Sequence, residues 1–444
     1  MKLTRVALMA AMCCVGATNP SNAPPVIRLN VAVLDASGRG AEGLTSADFP
    51  VSDAGKPQPM VFARRSPVQP VLVLLDLFNT TTSDLGTLIK EATEALHATQ
   101  AKDRIYLYLL THEGKVKPVH ALPSAEAEAA EPGGAWASQA GELLRKVLED
   151  VNTSKRTNFT TGQRVSFTFD GLESLGARLA AVPGHKNLLW VTRGVPIGFR
   201  EKSRGNEIEY RKNVTELSRI LDQCDVSVST SELPGTLSES ADVLAKRETL
   251  RTISLLTGGQ YYAPGHTTQA AIGEVLKVAS SSYTLGFRPD SHESGKTPHP
   301  VKVTAAGASL KLVAPAGYLE YPRDGQKTLM EGAVASLFDA NEIRIQASAA
   351  RSGDSWRLQV KINPADLLIE NGEGDLELSL VLIFKDGKRS ASEPFPIRAR
   401  ATAGQTEILT GGEYKFPEDV QRIRLIARDV HSGAIGSKTI SLSR

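Results

Sequence analysis

Polar and apolar positions alternate with period two over residues 26 to 34, VIRLNVAVL, which predicts a half-buried strand ending at Asp35 and the turn-rich SGRG. A short partner strand is expected at 58 to 64. From about residue 70 the rhythm changes. VLVLLDLF is a continuous apolar run, LGTLIKEATEALHAT has helical spacing, and RIYLYLL is apolar again. Strand, helix and strand of this kind imply a parallel sheet covered on both faces. The alternation continues with helices expected at 138 to 150, 168 to 181, 207 to 222, 241 to 256 and 268 to 280. Between them lie strands expected at 187 to 192, 226 to 230 and 260 to 262. Roughly six strands and as many helices describe a doubly wound α/β sheet domain.

The helical spacing stops beyond residue 282. SYTLGFRP, HPVKVTAA, SLKLVAP and GYLEY are short alternating runs, read as antiparallel strands returning to the N-terminal ones. From 341 onward EIRIQASAA, WRLQVKI, LELSLVLIF, FPIRARA, QTEILTG, RIRLIARDV and SKTISLS recur at the spacing of a β-sandwich. Asp386-Gly387 in KDGK marks a hairpin tip. Residues 124 to 134, SAEAEAAEPGG, read as an exposed excursion.

At 444 residues the chain is too long for one ordinary core, so two or three folded units are expected. A net charge of +2 with 23% charged residues lacks the basic excess of a nucleic-acid binder, and no nucleic-acid partner is expected. Lys2 and Arg5 precede the apolar run VALMAAMCCVGA and then Ser21-Asn22-Ala23, the order of a secretory signal. An apolar run of about twelve residues is too short to span a bilayer, so no transmembrane anchor is expected after cleavage. Cleavage would leave Cys224 as the remaining cysteine, read as a small core residue without chemistry. The eight histidines show no zinc spacing, and no Gly-x-Ser-x-Gly or phosphate-loop motif occurs. His185 reads as a loop residue before a strand.

Asp76 closes an apolar strand where α/β sheets place ligands. A strand ending in such an acid at the start of the domain resembles the von Willebrand factor type A fold. More narrowly, VAVLDASGRGAEGLTSADFPVSDAGKPQPMVF, VLVLLDLFNT, VPGHKNLLWVTRGVP, SSYTLGFRPD, VKVTAAGASLKLVAPAGYLEY and RLIARDVHSGAIGSKTISL resemble, in that order, blocks of the VWFA-related protein family abundant in Acidobacteria. The resemblance covers nearly the whole chain after residue 23. It implies a Rossmann-like, von Willebrand factor A-like domain at 67 to 281, preceded by a signal peptide at 1 to 23 and N-terminal β-strands at 24 to 66. A β extension at 282 to 321, a linker at 322 to 340 and an Ig-like sandwich at 341 to 444 would follow.

The family's metal-ion-dependent adhesion site uses Asp-x-Ser-x-Ser, a Thr on a second loop and an Asp on a third. Here Asp76 matches the first ligand and Thr80 the last hydroxyl, but Phe78 stands at the middle Ser. Ser166 or Thr168 would match the second loop. The third loop reads Thr192-Arg193-Gly194, a permanent cation where the family has a carboxylate. The expectation is a degenerate site without metal, in which Arg193 pairs with Asp76. Alternatively, Asp76 and Asn79 cap backbone amides where the strand turns into a helix. The reading is an exported, non-enzymatic binding or scaffold protein, periplasmic, cell-surface or secreted, without cofactor. Its expected partner is a protein in the envelope or extracellular space. Two alternatives stand beside it: metal-dependent adhesion through Asp76 and Thr80, and an accessory subunit of a secreted enzyme.

Overall fold

The computed structural model describes residues 26–98, 104–122, 135–153, 158–200, 207–233, 240–289, 299–307, 309–318, 324–336, 338–402 and 404–442. The expected signal segment at 1 to 23 and the excursion at 124 to 134 lie outside the described residues. The chain opens with β1 (Ile27–Leu34), followed by β2 (Val51–Asp53), β3 (Lys56–Gln58) and β4 (Met60–Arg65). Next come β5 (Val71–Asp76), α1 (Thr82–His97), β6 (Ile105–Leu110), β7 (Val116–His120), α2 (Ala135–Thr153) and α3 (Thr161–Ala180). Then follow β8 (Lys186–Thr192), β9 (Gly198–Arg200), β10 (Glu207–Glu209), α4 (Arg211–Gln223), β11 (Val226–Glu232) and α5 (Ala241–Thr257). β12 (Tyr261–Tyr262), α6 (Thr268–Ser280), β13 (Ser282–Phe287), β14 (His299–Val303), β15 (Lys311–Val313), β16 (Gly317–Tyr318) and α7 (Asp324–Ala335) complete this stretch.

Two compact units divide the chain, one formed by Ile27–Ala180 with His185–Leu329 and the other built on Met330–Arg444. In the first unit a six-stranded sheet has the order β12-β11-β8-β5-β6-β7. β5 pairs in parallel with both β6 and β8, whereas β7 runs antiparallel at the edge. Every residue of β5 is buried, as its unbroken apolar run requires. Leu85, Leu88, Ile89, Ala92, Ala95 and Leu96 recur at three- and four-residue steps along α1 and join Val71, Val73 and Leu75 in one core. Ile272 and Val275 of α6 complete it.

Beside that sheet, β13 pairs antiparallel with β1 and with β4, and β14 joins β2, β3 and β16 in a second small sheet. Gly258 ends α5 in the left-handed conformation, and Gly259 passes so close to β11 that a Cβ would lie 2.0 Å from the Val228 carbonyl oxygen.

The second unit carries β17 (Ile345–Ser352), β18 (Ser355–Ile362), β19 (Glu373–Phe384), β20 (Arg389–Ala391), β21 (Phe395–Arg400), β22 (Ile408–Tyr414), β23 (Val420–Asp429) and β24 (Ile435–Ser441). These form antiparallel sheets of three and five strands around one core, with sandwich-like character. Alternate residues Leu358, Val360 and Ile362 of β18 and Leu376, Leu378 and Leu380 of β19 supply it. Asp386-Gly387 turns β19 into β20, with Gly387 at φ 80°.

The expected class, a doubly wound α/β domain plus a C-terminal all-β sandwich, is corrected. Among the described residues 38% lie in strands and 30% in helices, and the strands are spread over several sheets with no clear doubly wound core. The physical reason is pairing that composition does not encode. The edge strand β7 runs antiparallel, and strands as short as two or three residues (β2, β3, β15, β16) build further sheets of their own.

Candidate functional site

β5 and β8 lie side by side with Leu74 opposite Trp190 and Leu75 opposite Val191, so Asp76 and Thr192 leave the sheet together. The Asp76 carboxylate is fully buried, yet both oxygens are satisfied by the protein. The Asn79 backbone N–H donates to Oδ1 at 2.9 Å. Oδ2 accepts from the Asn79 side-chain amide at 2.8 Å, the Thr192 hydroxyl at 2.6 Å and the Trp190 indole N–H at 3.2 Å. Burial raises the carboxyl above its ordinary pKa, against the pull of these four bonds.

The loop after β5 closes on itself. The Thr80 hydroxyl donates back to the Asp76 carbonyl oxygen, and the Asn79 amide also donates to Thr168 Oγ1 at 2.9 Å. Thr168, on α3, donates in turn to the Arg164 carbonyl at 2.7 Å. Phe78 is buried against Phe159 and Phe167, with the Arg164 guanidinium 4.8 Å over its ring. The side chain that has no ligand oxygen is therefore a packing anchor.

The expected ion pair between Arg193 and Asp76 is corrected. Arg193 Nη2 lies 2.5 Å from Asp84 Oδ2, in the first turn of α1, and each side chain is 23% exposed. Gly194, at φ 73°, turns the chain sharply after Thr192, and its N–H donates to the Thr192 hydroxyl oxygen at 2.8 Å. Arg193 thus reaches a carboxylate that keeps some contact with water, where a guanidinium is less costly to desolvate. Of the alternative capping reading, Asp76 accepts the Asn79 backbone N–H, whereas the Asn79 side chain donates to Asp76 and Thr168 and the N-cap of α1 is Thr81.

Of the seven expected site residues, Asp76, Asn79, Thr80, Thr168 and Thr192 meet in one hydrogen-bonded cluster. Arg193, next to Thr192 in the chain, pairs with Asp84 instead of joining the cluster. Ser166 does not join it: two residues from Thr168 on α3, it is turned about 200° round the helix and is exposed. Trp190 also belongs to the cluster: its buried indole N–H needs an acceptor, and Asp76 supplies it. Glu232, opposite Thr192 at the end of β11, was also missed. Arg247 holds it through two 3.0 Å bonds, and the Tyr261 hydroxyl donates to the same carboxylate. Burial, and then Glu232, pushes the Tyr261 hydroxyl up to about 12.

A divalent ion of the magnesium type needs about six oxygens near 2.1 Å. Asp76 Oδ2 already accepts three bonds, Phe78 offers no oxygen, and Arg193 brings positive charge, so these residues do not fit such an ion. Among the described residues no group of three or more His, Cys, Asp and Glu is placed to hold a metal.

No protein-family profile and no curated protein matches this chain. Among solved structures it is similar to the pilus adhesin SpaC from Lactobacillus rhamnosus GG in its open conformation, at 9% identity and TM-score 0.34. That match covers 93% of this chain and 60% of the adhesin's. Proximal thread matrix protein 1 from the mussel byssus follows at 10% identity and TM-score 0.29, covering 49% of each chain. The chain thus spans less than two thirds of the adhesin's length, and neither score is high enough to carry an argument. No helix among the described residues is long and apolar enough to cross a membrane.

Proposed function

We propose that this chain is an exported binding protein that engages a protein partner through the loops following β5, β8 and β11, without a metal ion. On this reading it is a VWFA-related protein with a degenerate adhesion site, acting in the envelope or extracellular space. The observation that supports the proposal is that the two carboxylate oxygens of buried Asp76 already accept four hydrogen bonds from the protein. Metal-dependent adhesion through Asp76 and Thr80 is the weaker reading, because Asp76 Oδ2 already accepts three hydrogen bonds and Phe78 supplies no oxygen.

What the edge offers a partner is a rigid frame with two charged pairs on it, Arg193 with Asp84 and Arg247 with Glu232. Both pairs sit at the C-terminal ends of parallel strands, where open sheets expose ligand sites. The role proposed for this edge needs no catalytic step. Capture of envelope proteins from the producing organism tests the reading. Capture should persist in a chelator and fall at least tenfold with Arg193→Asp, which sets a carboxylate beside Asp84. Capture that requires Mg²⁺ or Mn²⁺ contradicts it.

A further inference from the structure

At the opposite, N-terminal edge of the same sheet, three residues from two places in the chain meet around a cavity. His185 precedes β8, Asp225 precedes β11, and Ser227 is the second residue of β11. Ser227 Oγ lies 2.9 Å from His185 Nε2, and His185 Nδ1 lies 2.7 Å from Asp225 Oδ1. We propose that Ser227, His185 and Asp225 form a nucleophile, base and carboxylate relay able to take the acyl group of a small ester.

The geometry carries the roles. A ring nitrogen 2.7 Å from a carboxylate bears the proton, which leaves Nε2 as the acceptor facing the Ser227 hydroxyl. The Asn30 side-chain amide stands 2.8 Å from Nδ1 and 3.5 Å from Asp225 Oδ1, and its nitrogen and oxygen exchange places by rotation about one bond. Burial alone would raise the Asp225 carboxyl. The neighbouring His185, with Lys186 and Arg28 behind it, instead holds it well below the usual range. Asp225 also sits at φ 55°, a backbone region sparsely used by residues other than glycine and often kept where a side chain must be aimed.

Ser227 faces a cavity of about 190 Å³ whose walls include Arg28, Leu29, Leu256, Pro315 and Tyr318. A cavity of ~150 Å³ holds a benzene ring, so an acetyl or short branched acyl group fits here. β1 and β16 contribute wall residues that the six-stranded sheet lacks, which gives this edge a pocket.

The step balances. Ser227 Oγ attacks the ester carbonyl carbon while its proton passes to His185 Nε2. Collapse of the tetrahedral adduct breaks the carbonyl–alkoxy bond, and the Nε2 proton leaves with the alcohol. Water, deprotonated by the same nitrogen, then releases the carboxylic acid and restores the serine. This activity goes beyond the binding role above and stands on different residues.

Fluorophosphonate labelling of the full-length protein, mapped by peptide mass spectrometry, tests it. One adduct is expected, on Ser227, absent from Ser227→Ala and formed on the order of 100-fold more slowly in Asp225→Asn. p-Nitrophenyl acetate should show an acyl-enzyme burst lost in the same variants. No adduct on Ser227 of the wild type overturns the proposal, and so does labelling that Asp225→Asn leaves unchanged, since the His185 contact would then be structural only. Should Ser227→Ala fail to fold, the wild-type map and Ser227→Cys decide the matter, the latter expected to alkylate with iodoacetamide at position 227 faster than at Cys224.

Discussion

Thr192→Val removes one hydroxyl from the buried cluster while keeping the side chain's shape. The hydroxyl donates to Asp76 Oδ2 at 2.6 Å and accepts the Gly194 N–H at 2.8 Å. A hydrogen bond to a buried charge contributes about 1.5 to 3 kcal/mol, and an N–H stripped of its acceptor costs about 1 to 3 kcal/mol. The added methyl offsets part of this, leaving an expected loss of about 2 to 4 kcal/mol. Asp76 has a folded-state pKa above its ordinary 3.8, so its contribution to stability is full below the unfolded value and is lost as pH rises through the folded one. Losing a donor raises that folded value further and steepens the decline. The deficit of Thr192→Val should therefore be larger at pH 7 than near pH 4, by about 1 kcal/mol, because a bond to a neutral carboxyl is the weaker one. Urea unfolding followed by Trp190 fluorescence, in a background carrying Trp136→Phe and Trp356→Phe, measures both quantities. A deficit under 0.5 kcal/mol, or one equal at the two pH values, would refute the reasoning.

Three further outcomes are expected. A double-mutant cycle on Arg193→Ala and Asp84→Ala should give a coupling of about 1 kcal/mol, typical of a partly exposed pair and reduced by added salt. Gly259→Ala should cost on the order of 3 kcal/mol or prevent folding of the first unit, since its Cβ meets the Val228 carbonyl at 2.0 Å; circular dichroism melting reads this. Arg424, buried in the second unit, donates to the Ala333 and Ser336 carbonyls and to Thr439 Oγ1, and burial draws its pKa down to about 10. Arg424→Ala should destabilise that unit by about 3 to 5 kcal/mol, read by Trp356 fluorescence in urea, because it strands these acceptors and Asp339.

Elements with long, consistent patterns were legible in the sequence. The helix expected at 268 to 280 is Thr268–Ser280, and the apolar run ending at Asp76 is a fully buried strand. The class was not legible, because the direction of β7 and the partners of two- and three-residue strands depend on pairing across the fold rather than on local period. At the site, the meeting of Asp76 with Thr192 followed from adjacent strand ends. The partner of Arg193 did not, since the turn at Gly194 and the placing of α1 decide it. The contact between Ser227 and His185 spans 42 residues, and no local motif encodes it.

The central claim is that protein donors have closed the Asp76 pocket to cations, and calorimetric titration of the full-length protein with Mg²⁺ and Mn²⁺ tests it most directly. No saturable heat up to millimolar concentrations is the outcome this account predicts. Micromolar binding that disappears in Asp76→Ala would contradict it.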